Sequence, residues 1–409
     1  MRIIIGLYRN AFLNIQSNIW ILAIAMFINR SGSMVLLFTS LYLTNELHFT
    51  IADAGVALSF YGVGSVLGSY VGGWLADRRN FLDVMLLALI SSGSILFGLL
   101  IVNSFWGVSF IIFAYAFAAD MFRPANAKAI ATYSTPDNRT RSFSIVRLAI
   151  NLGFSIGPAA GGFIAMFIGY KWLFVIDACS SFATAMMLFI YLPKRKSLVQ
   201  AKSNVFINDS KSAYRDWPYL TFILLASFYG IIFFQLFSSI PQYFSRECNY
   251  PEGVIGLLLA LNGIFVVLLE MPLIAVLEKK NNPFKFIIIG TLFLAVAFTV
   301  LKLGSGMIHA VLFILIITFS EIFAMPFMMN YSISRPTVNR QGQYAALYSI
   351  SFGLSNIIAP IAGLGIAAAY GFGNMFYTLI LLSVLTTCGF IILNKRNKTQ
   401  SKFKIHNRL

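Results

Sequence analysis

Asn151 to Ala165 reads NLGFSIGPAAGGFIA and Leu354 to Ala368 reads LSNIIAPIAGLGIAA; each sets one proline among Gly, Ala and Ser, and the two prolines, Pro158 and Pro360, stand 202 residues apart. The same offset pairs Pro124 with Pro326, Gly161 with Gly363, Gly169 with Gly371 and Phe174 with Phe376. A chain that repeats itself at one interval is two related halves in tandem.

Composition places those halves in a bilayer. Of 409 residues, 58% are hydrophobic, 11% are charged and 40 are Phe, more apolar surface than a soluble domain can hide. Continuous apolar stretches long enough to cross a membrane run from Trp20 to Leu43, Ala54 to Leu75, Val84 to Val102, Val108 to Ala129, Phe143 to Ile168 and Trp172 to Leu192. A second six run from Tyr219 to Phe244, Val254 to Leu277, Phe286 to Leu303, His309 to Tyr331, Ala345 to Tyr370 and Met375 to Leu393. Because the runs are continuous rather than alternating, they predict helices and not a barrel: an all-α membrane protein of twelve spans. The expected divisions are a six-helix bundle over residues 1–192, a linker over 193–217, a second bundle over 218–393 and a basic tail over 394–409. In duplicated membrane proteins of this kind the repeat interface is the expected place for a substrate.

Orientation follows from Lys and Arg. If both termini are cytoplasmic, 25 of the 30 basic residues fall in cytoplasmic segments, and the opposite face keeps only Lys171, Arg246 and Lys302. The positive-inside rule therefore predicts a multi-pass protein of the cytoplasmic (inner) membrane with both ends in the cytosol. The net charge of +16 is spread over seven loops that meet anionic headgroups, which argues against nucleic acid as a partner. Met1 to Asn18 lacks the apolar core and cleavage site of a signal peptide, so the first span is expected to remain. Cys179, Cys248 and Cys388 make no disulfide framework, and His48, His309 and His406 make no metal site. No cofactor is implied, and oligomeric state is not legible.

After the second span comes GGWLADRR, Gly72 to Arg79. It resembles the loop 2-3 motif of the major facilitator superfamily, G-x-L-x-D-R-x-G-R-K, matching at Gly73, Leu75, Asp77 and Arg78 and departing at Asn80, Phe81 and Leu82. Gly153, Gly157, Pro158, Gly161 and Gly162 are similar to that superfamily's helix 5 antiporter motif, g-x-x-x-G-P-x-x-G-G, where a proline kink and small residues allow close packing and sliding. The resemblance covers the whole twelve-helix layout and implies two pseudo-symmetric bundles working by alternating access. It implies gating roles for Asp77, Arg78, Gly73, Gly157, Pro158 and Gly161. The helix 4 arginine of many such exporters is absent, its place taken by Ile112.

Ionisable side chains at bilayer depth are costly and tend to be functional. Arg30 lies midway along the first span; Asp120 and Glu321 lie at equal depth in the fourth and tenth, counting roughly 1.5 Å per residue. In the superfamily arrangement helices 1, 4, 7 and 10 line the central cavity, so the resemblance puts all three on its walls. A carboxylate beside an arginine stays charged, and one that loses its partner takes a proton, the alternation that proton coupling needs. The plainer alternative is an Arg30–Asp120 pair fastening two helices. Arg123 is either an internal partner of Asp120 or a snorkelling residue. Glu270, ahead of Pro272, is a candidate gate, and Asp177 reads as structural. Tyr115, Tyr229 and Phe233 are candidate cavity aromatics for an apolar or cationic molecule.

These readings converge on proton-driven export of a small, partly apolar molecule, with protons and the lipid bilayer as the other partners. The alternatives are a proton-coupled importer, or a dedicated metabolite or siderophore exporter. A membrane enzyme acting on lipid is disfavoured because the loops hold no nucleophile elbow, paired His or metal spacing.

Overall fold

Backbone polar groups inside a bilayer must be satisfied within their own segment, which is why long apolar runs become helices. A computed structural model of the chain describes residues 15–135, 138–194, 212–277, 283–335 and 341–406, and every regular element among them is helical. Most of the linker, 195–211, and the end of the tail, 407–409, lie outside the described residues.

The first ten spans are α1 (Ser17–Glu46), α2 (Ile51–Arg78), α3 (Phe81–Leu100), α4 (Phe105–Tyr133), α5 (Arg141–Phe167), α6 (Lys171–Tyr191), α7 (Trp217–Arg246), α8 (Glu252–Ile274), α9 (Pro283–Leu303) and α10 (Met307–Ser332). The last apolar stretch, Gln343–Asn397, holds two, because Gly371 at φ 81° breaks the helix into α11 (343–370) and α12 (372–397). Gly169, its counterpart in the first half, has φ 110° between α5 and α6. The left-handed conformation is open to glycine at little cost, so the turn is repeated along with the sequence. The described residues thus hold the twelve helical spans that the apolar runs predict.

Three spans are broken near their middles. α1 stops at Gly32, resumes over Val35–Leu41 and ends in a π-helical turn, Tyr42–Glu46. α4 breaks at Met121 and α7 at Phe234. In α4 the cause is Pro124, whose ring lacks a donor and crowds the carbonyl four residues back, that of Asp120. That oxygen instead takes the hydroxyl of Ser69 at 3.5 Å.

The described residues cluster into two compact units. Unit 1 takes in Met1–Tyr42, Phe60–Lys202 and Pro251–Val267; unit 2 takes in Leu43–Ser59, Ser203–Tyr250 and Leu268–Leu409. The boundaries cut α1, α2 and α8: α8 as far as Val267 belongs to unit 1, and the end of α1 from Leu43 and the start of α2 up to Ser59 belong to unit 2.

Glycine makes this packing close. Within unit 1, Gly64, Gly68 and Gly72 of α2 recur every fourth residue and lie against the backbone of Phe113, Phe117 and Met121 in α4. Lipid tails are as apolar as side chains, so such close approach, rather than a hydrophobic drive, holds membrane helices together. Also in unit 1, a Cβ on Gly256 of α8 would stand 2.3 Å from the Pro158 carbonyl; in unit 2, a Cβ on Gly55 of α2 would stand 2.7 Å from the Pro360 carbonyl. The two motif prolines thus receive equivalent glycines.

Candidate functional site

The helix 5 motif is spent on α1. Gly153, Gly157 and Gly161 face Arg30, Ser31 and Met34, and a Cβ on Gly153 would fall 2.6 Å from that of Arg30. Small residues on α5 therefore fix the backbone of the one arginine in the middle of α1. Gly162 and Pro158 turn to α8 instead, where a Cβ on Gly162 would meet the Glu252 carbonyl at 2.4 Å.

Beside Arg30 lies a small cavity of about 20 Å³, the size of one water. Arg30, Tyr61, Tyr115, Asp120 and Asp177 line it, with Asn29 among the polar neighbours. Asp120 is buried, accepts the Ser65 hydroxyl in a very short contact, and pairs with Arg123 Nε at 2.8 Å. Of the two partners foreseen for this carboxylate, the structure uses Arg123, three residues on along the same face. Arg30 Nε is buried and has no hydrogen-bond partner among the described residues; its guanidinium lies over the Phe154 ring at 5.4 Å.

Asp177 belongs to the same group. It is 1% exposed and accepts a 3.2 Å hydrogen bond from Tyr115 Oη, which occupies that hydroxyl in the inner cavity. The sequence reads Asp177 as structural, and its hydrogen bond to Tyr115 joins α6 to α4; what singles it out in the sequence is a carboxylate at bilayer depth. Tyr61 and Ser65 carried no such signal, since polar residues of their kind are frequent in every span. The cluster gathers two carboxylates, two phenols and an arginine around one small buried space.

Glu321 lies in unit 2, on α10. The hydroxyl of its neighbour Ser320 stands 3.2 Å from Tyr229 Oη and donates to the Gly290 carbonyl at 2.6 Å. Tyr229 and Phe233 are both buried, their rings stacked at 6.2 Å between centroids. Glu270 is buried in unit 2 as well. In the same unit Gln235 donates to the Ala359 carbonyl at 2.9 Å, tying the break in α7 to the second motif helix.

At the end of α2, Asp77 is exposed and meets Lys128 of α4 at 3.3 Å. Arg78 packs its guanidinium over Trp74, 4.2 Å from the ring centroid. Gly73 has only an ordinary contact with Pro124, so the tight approach at this end is at Gly72.

A polar knot in unit 2 was invisible in sequence. Asp216, which caps α7, takes two hydrogen bonds from Arg335, at 2.6 and 2.8 Å, and one from Tyr344 Oη at 2.9 Å. Burial pushes the Asp216 carboxyl up, but Arg335, Tyr344 and the Tyr219 N–H outweigh it and hold it below the usual carboxylate range. Arg335 and Tyr344 are more than a hundred residues from Asp216, beyond the reach of any local pattern.

The family model for the Major Facilitator Superfamily matches residues 20–360. The chain is similar to the uncharacterized MFS-type transporter YttB of Bacillus subtilis (strain 168), at 22% identity over 93% of this chain and 96% of that one. It is 25% identical to a Na(+), Li(+), K(+)/H(+) antiporter of Planococcus maritimus, over 90% and 92%. It is 24% identical to the quinolone resistance protein NorA of Staphylococcus aureus (strain MRSA252), over 77% and 81%. Among solved structures, a POT family transporter in complex with 5-aminolevulinic acid superposes with a TM-score of 0.79 at 15% identity, over 94% and 97% of the two chains. At that identity the likeness concerns the fold alone.

Proposed function

This chain belongs to the Major Facilitator Superfamily, and on that premise we propose that it exports a small, partly apolar molecule in exchange for protons, by alternating access. It is a multi-pass membrane transporter. Its membrane, on this reading, is the cytoplasmic one, with both termini and the 193–217 linker in the cytosol. The six-span divisions of the sequence, 1–192 and 218–393, are the bodies that rock; gating is assigned to Asp77, Arg78, Gly73, Gly157, Pro158 and Gly161, of which Pro158 meets α8 at Gly256 while the others pack within the first division.

The observation that carries proton coupling is Asp120, a buried carboxylate held by Arg123 and Ser65 beside an arginine, Arg30, whose Nε is unpartnered. Ionised, Asp120 has Arg123 as counter-charge. Drawn away from it, the carboxylate takes a proton, because an uncompensated charge in a low-dielectric site is costly. Glu321 is assigned the matching role in the second half and Glu270 a gate. A relative named for quinolone resistance supports the outward direction.

One observation favours a second reading: the 25% identical relative is named as an antiporter of Na(+), Li(+) and K(+). Purified protein in liposomes carrying an entrapped pH dye separates the two. With an imposed pH gradient, a panel of small organic molecules is added in turn, then Na+, Li+ and K+. Collapse of the gradient by an organic compound supports drug-type export; collapse only by the cations establishes the second reading. The gradient polarity that drives accumulation distinguishes exporter from importer.

A further inference from the structure

The small cavity beside Arg30 lies at the breaks of two spans: Ser33 lines it from the break in α1, Asp120 and Phe122 from that in α4. Among the described residues Arg30 is the one cation on its lining, yet two carboxylates are there, Asp120 and Asp177. The two are held differently. Asp120 has a counter-charge of its own, Arg123 at 2.8 Å, and the Ser65 hydroxyl besides. Asp177 is met by neutral donors, Tyr115 Oη at 3.2 Å and the Val35 N–H, and takes part in none of the ion pairs among the described residues. With Asp120 matched to Arg123, the opposite charges left in the cavity are Arg30 and Asp177. They are not joined: Arg30 Nε has no hydrogen-bond partner among the described residues, and its guanidinium lies over the Phe154 ring.

We propose that Asp177 is a proton-carrying residue of this transporter and that Arg30 is the cation that competes with the proton for it. The proposal rests on the proton-exchange reading above and adds a third carboxylate to it. A buried carboxylate with neutral donors alone is costly to keep charged, and a guanidinium drawn close to it lowers that cost. With Arg30 turned away, the Asp177 carboxylate binds a proton from outer water and becomes a neutral acid. With Arg30 drawn in, the acid gives that proton to cytosolic water and the ion pair replaces it. The break at Gly32 falls between Arg30 and Val35, so the cation and the N–H that Asp177 meets ride on different pieces of α1. Gly153 and Gly157 of α5 fix the backbone at Arg30, which leaves the motion to its side chain and to the second piece. The other titratable groups on the lining are phenols, Tyr61 of α2 and Tyr115 of α4, whose ordinary pKa of about 10 keeps them neutral. Beyond Asp177, α3 and α6 add only the hydroxyls of Ser92 and Ser181 as polar groups among the described residues, and α5 adds none.

The test is an infrared pH titration of the full chain in nanodiscs of zwitterionic lipid, following the C=O stretch of protonated aspartic acid. Carbon-isotope labelling of aspartate separates this band from those of Glu270 and Glu321. Subtracting the Asp177→Asn spectra from wild type should isolate one titrating carboxyl. In an Arg30→Gln background the same subtraction should place its midpoint higher by about one pH unit or more, and Arg30→Lys should bring it part of the way back. Tyr115→Phe should shift the frequency of the band without removing it, because the carboxyl loses a donor; this variant and Arg30→Gln keep Asp177 and read the band even where Asp177→Asn fails to fold. A second measurement follows the distance between spin labels at Phe167→Cys and Leu257→Cys, with the native cysteines replaced by Ser. In wild type the distance should change across that midpoint, and Asp177→Asn should abolish the change. Asn keeps an acceptor for Tyr115, so a residue that merely ties α6 to α4 would leave the pH response intact in that variant. The proposal is overturned if Asp177→Asn removes no titrating band, if the midpoint is unmoved by Arg30→Gln, or if wild type and Asp177→Asn share the same pH response. No substrate or gradient is present, so failure of the export reading leaves this result standing, and failure here leaves Asp120 and Glu321 to the transport assay.

Discussion

Placing a methyl group on Gly256 probes the contact on which alternation depends. A Cβ there would stand 2.3 Å from the Pro158 carbonyl oxygen and 3.0 Å from the Gly162 Cα. Carbon–oxygen contacts settle at about 3.3 Å, so α5 and α8 must part by about 1 Å or bend. Overpacking of this kind costs about 1–3 kcal/mol. If α5 and α8 touch in only one of two alternating states, that cost falls on this state alone and shifts the balance roughly 5- to 150-fold toward the other. Spin labels at Phe167→Cys and Leu257→Cys, both exposed positions, report the separation once Cys179, Cys248 and Cys388 are replaced by Ser. Gly256→Ala should move the distance distribution to longer values. Gly72→Ala is the contrast: its Cβ would meet Met121 at 2.5 Å between α2 and α4, spans of one sequence half that do not part during rocking. That variant should lower Tm and leave the distances alone. An unchanged distribution for Gly256→Ala, in a variant as stable as wild type, would refute the reasoning.

Asp77→Asn should slow exchange between states while substrate affinity stays within a few fold; its exposed bridge to Lys128 contributes only about 0–1 kcal/mol, so Tm should barely move, and a large affinity loss with normal exchange would sink the gating assignment. Asp216→Asn should destabilise the protein by about 1–3 kcal/mol at pH 7. Since folding lowers the Asp216 pKa, its contribution is present above the unfolded value of about 3.9 and is lost as pH falls through the folded value, so wild type and variant should converge in acid denaturation curves. A Cys at Ser203, with Cys248 removed, should resist an impermeant thiol reagent in intact cells; labelling would invert the topology.

The helices were legible because a bilayer leaves the backbone little choice: the apolar run from Trp20 to Leu43 lies inside α1 at Ser17–Glu46, and that from Tyr219 to Phe244 inside α7 at Trp217–Arg246. The Gly169 and Gly371 pairing, read only as an offset, proved to be one backbone conformation used twice. Side-chain partnership was harder to read. Arg30 and Asp120 share a depth, yet Asp120 pairs with Arg123, because partners are chosen by helix rotation and by the Pro124 break, neither of which sequence depth fixes. The partner of Asp177 was out of reach for the same reason, since only the packed helix shows it facing Tyr115. Phe122, Phe143 and Phe154, which line a cleft of about 590 Å³ between α1, α4 and α5, had no signal at all among 40 of their kind.

The claim at the centre of this account is that intramembrane carboxylates carry the protons. The measurement that reaches it most directly compares two modes in the same liposomes for Asp120→Asn, Glu321→Gln and the double variant. One mode is uptake of a compound that wild type moves under an imposed pH gradient; the other is exchange of labelled for unlabelled compound with no gradient. Exchange needs no net proton movement, so the account predicts that gradient-driven uptake is lost while exchange persists. Full gradient-driven uptake by the double variant would contradict it and remove both residues from the mechanism.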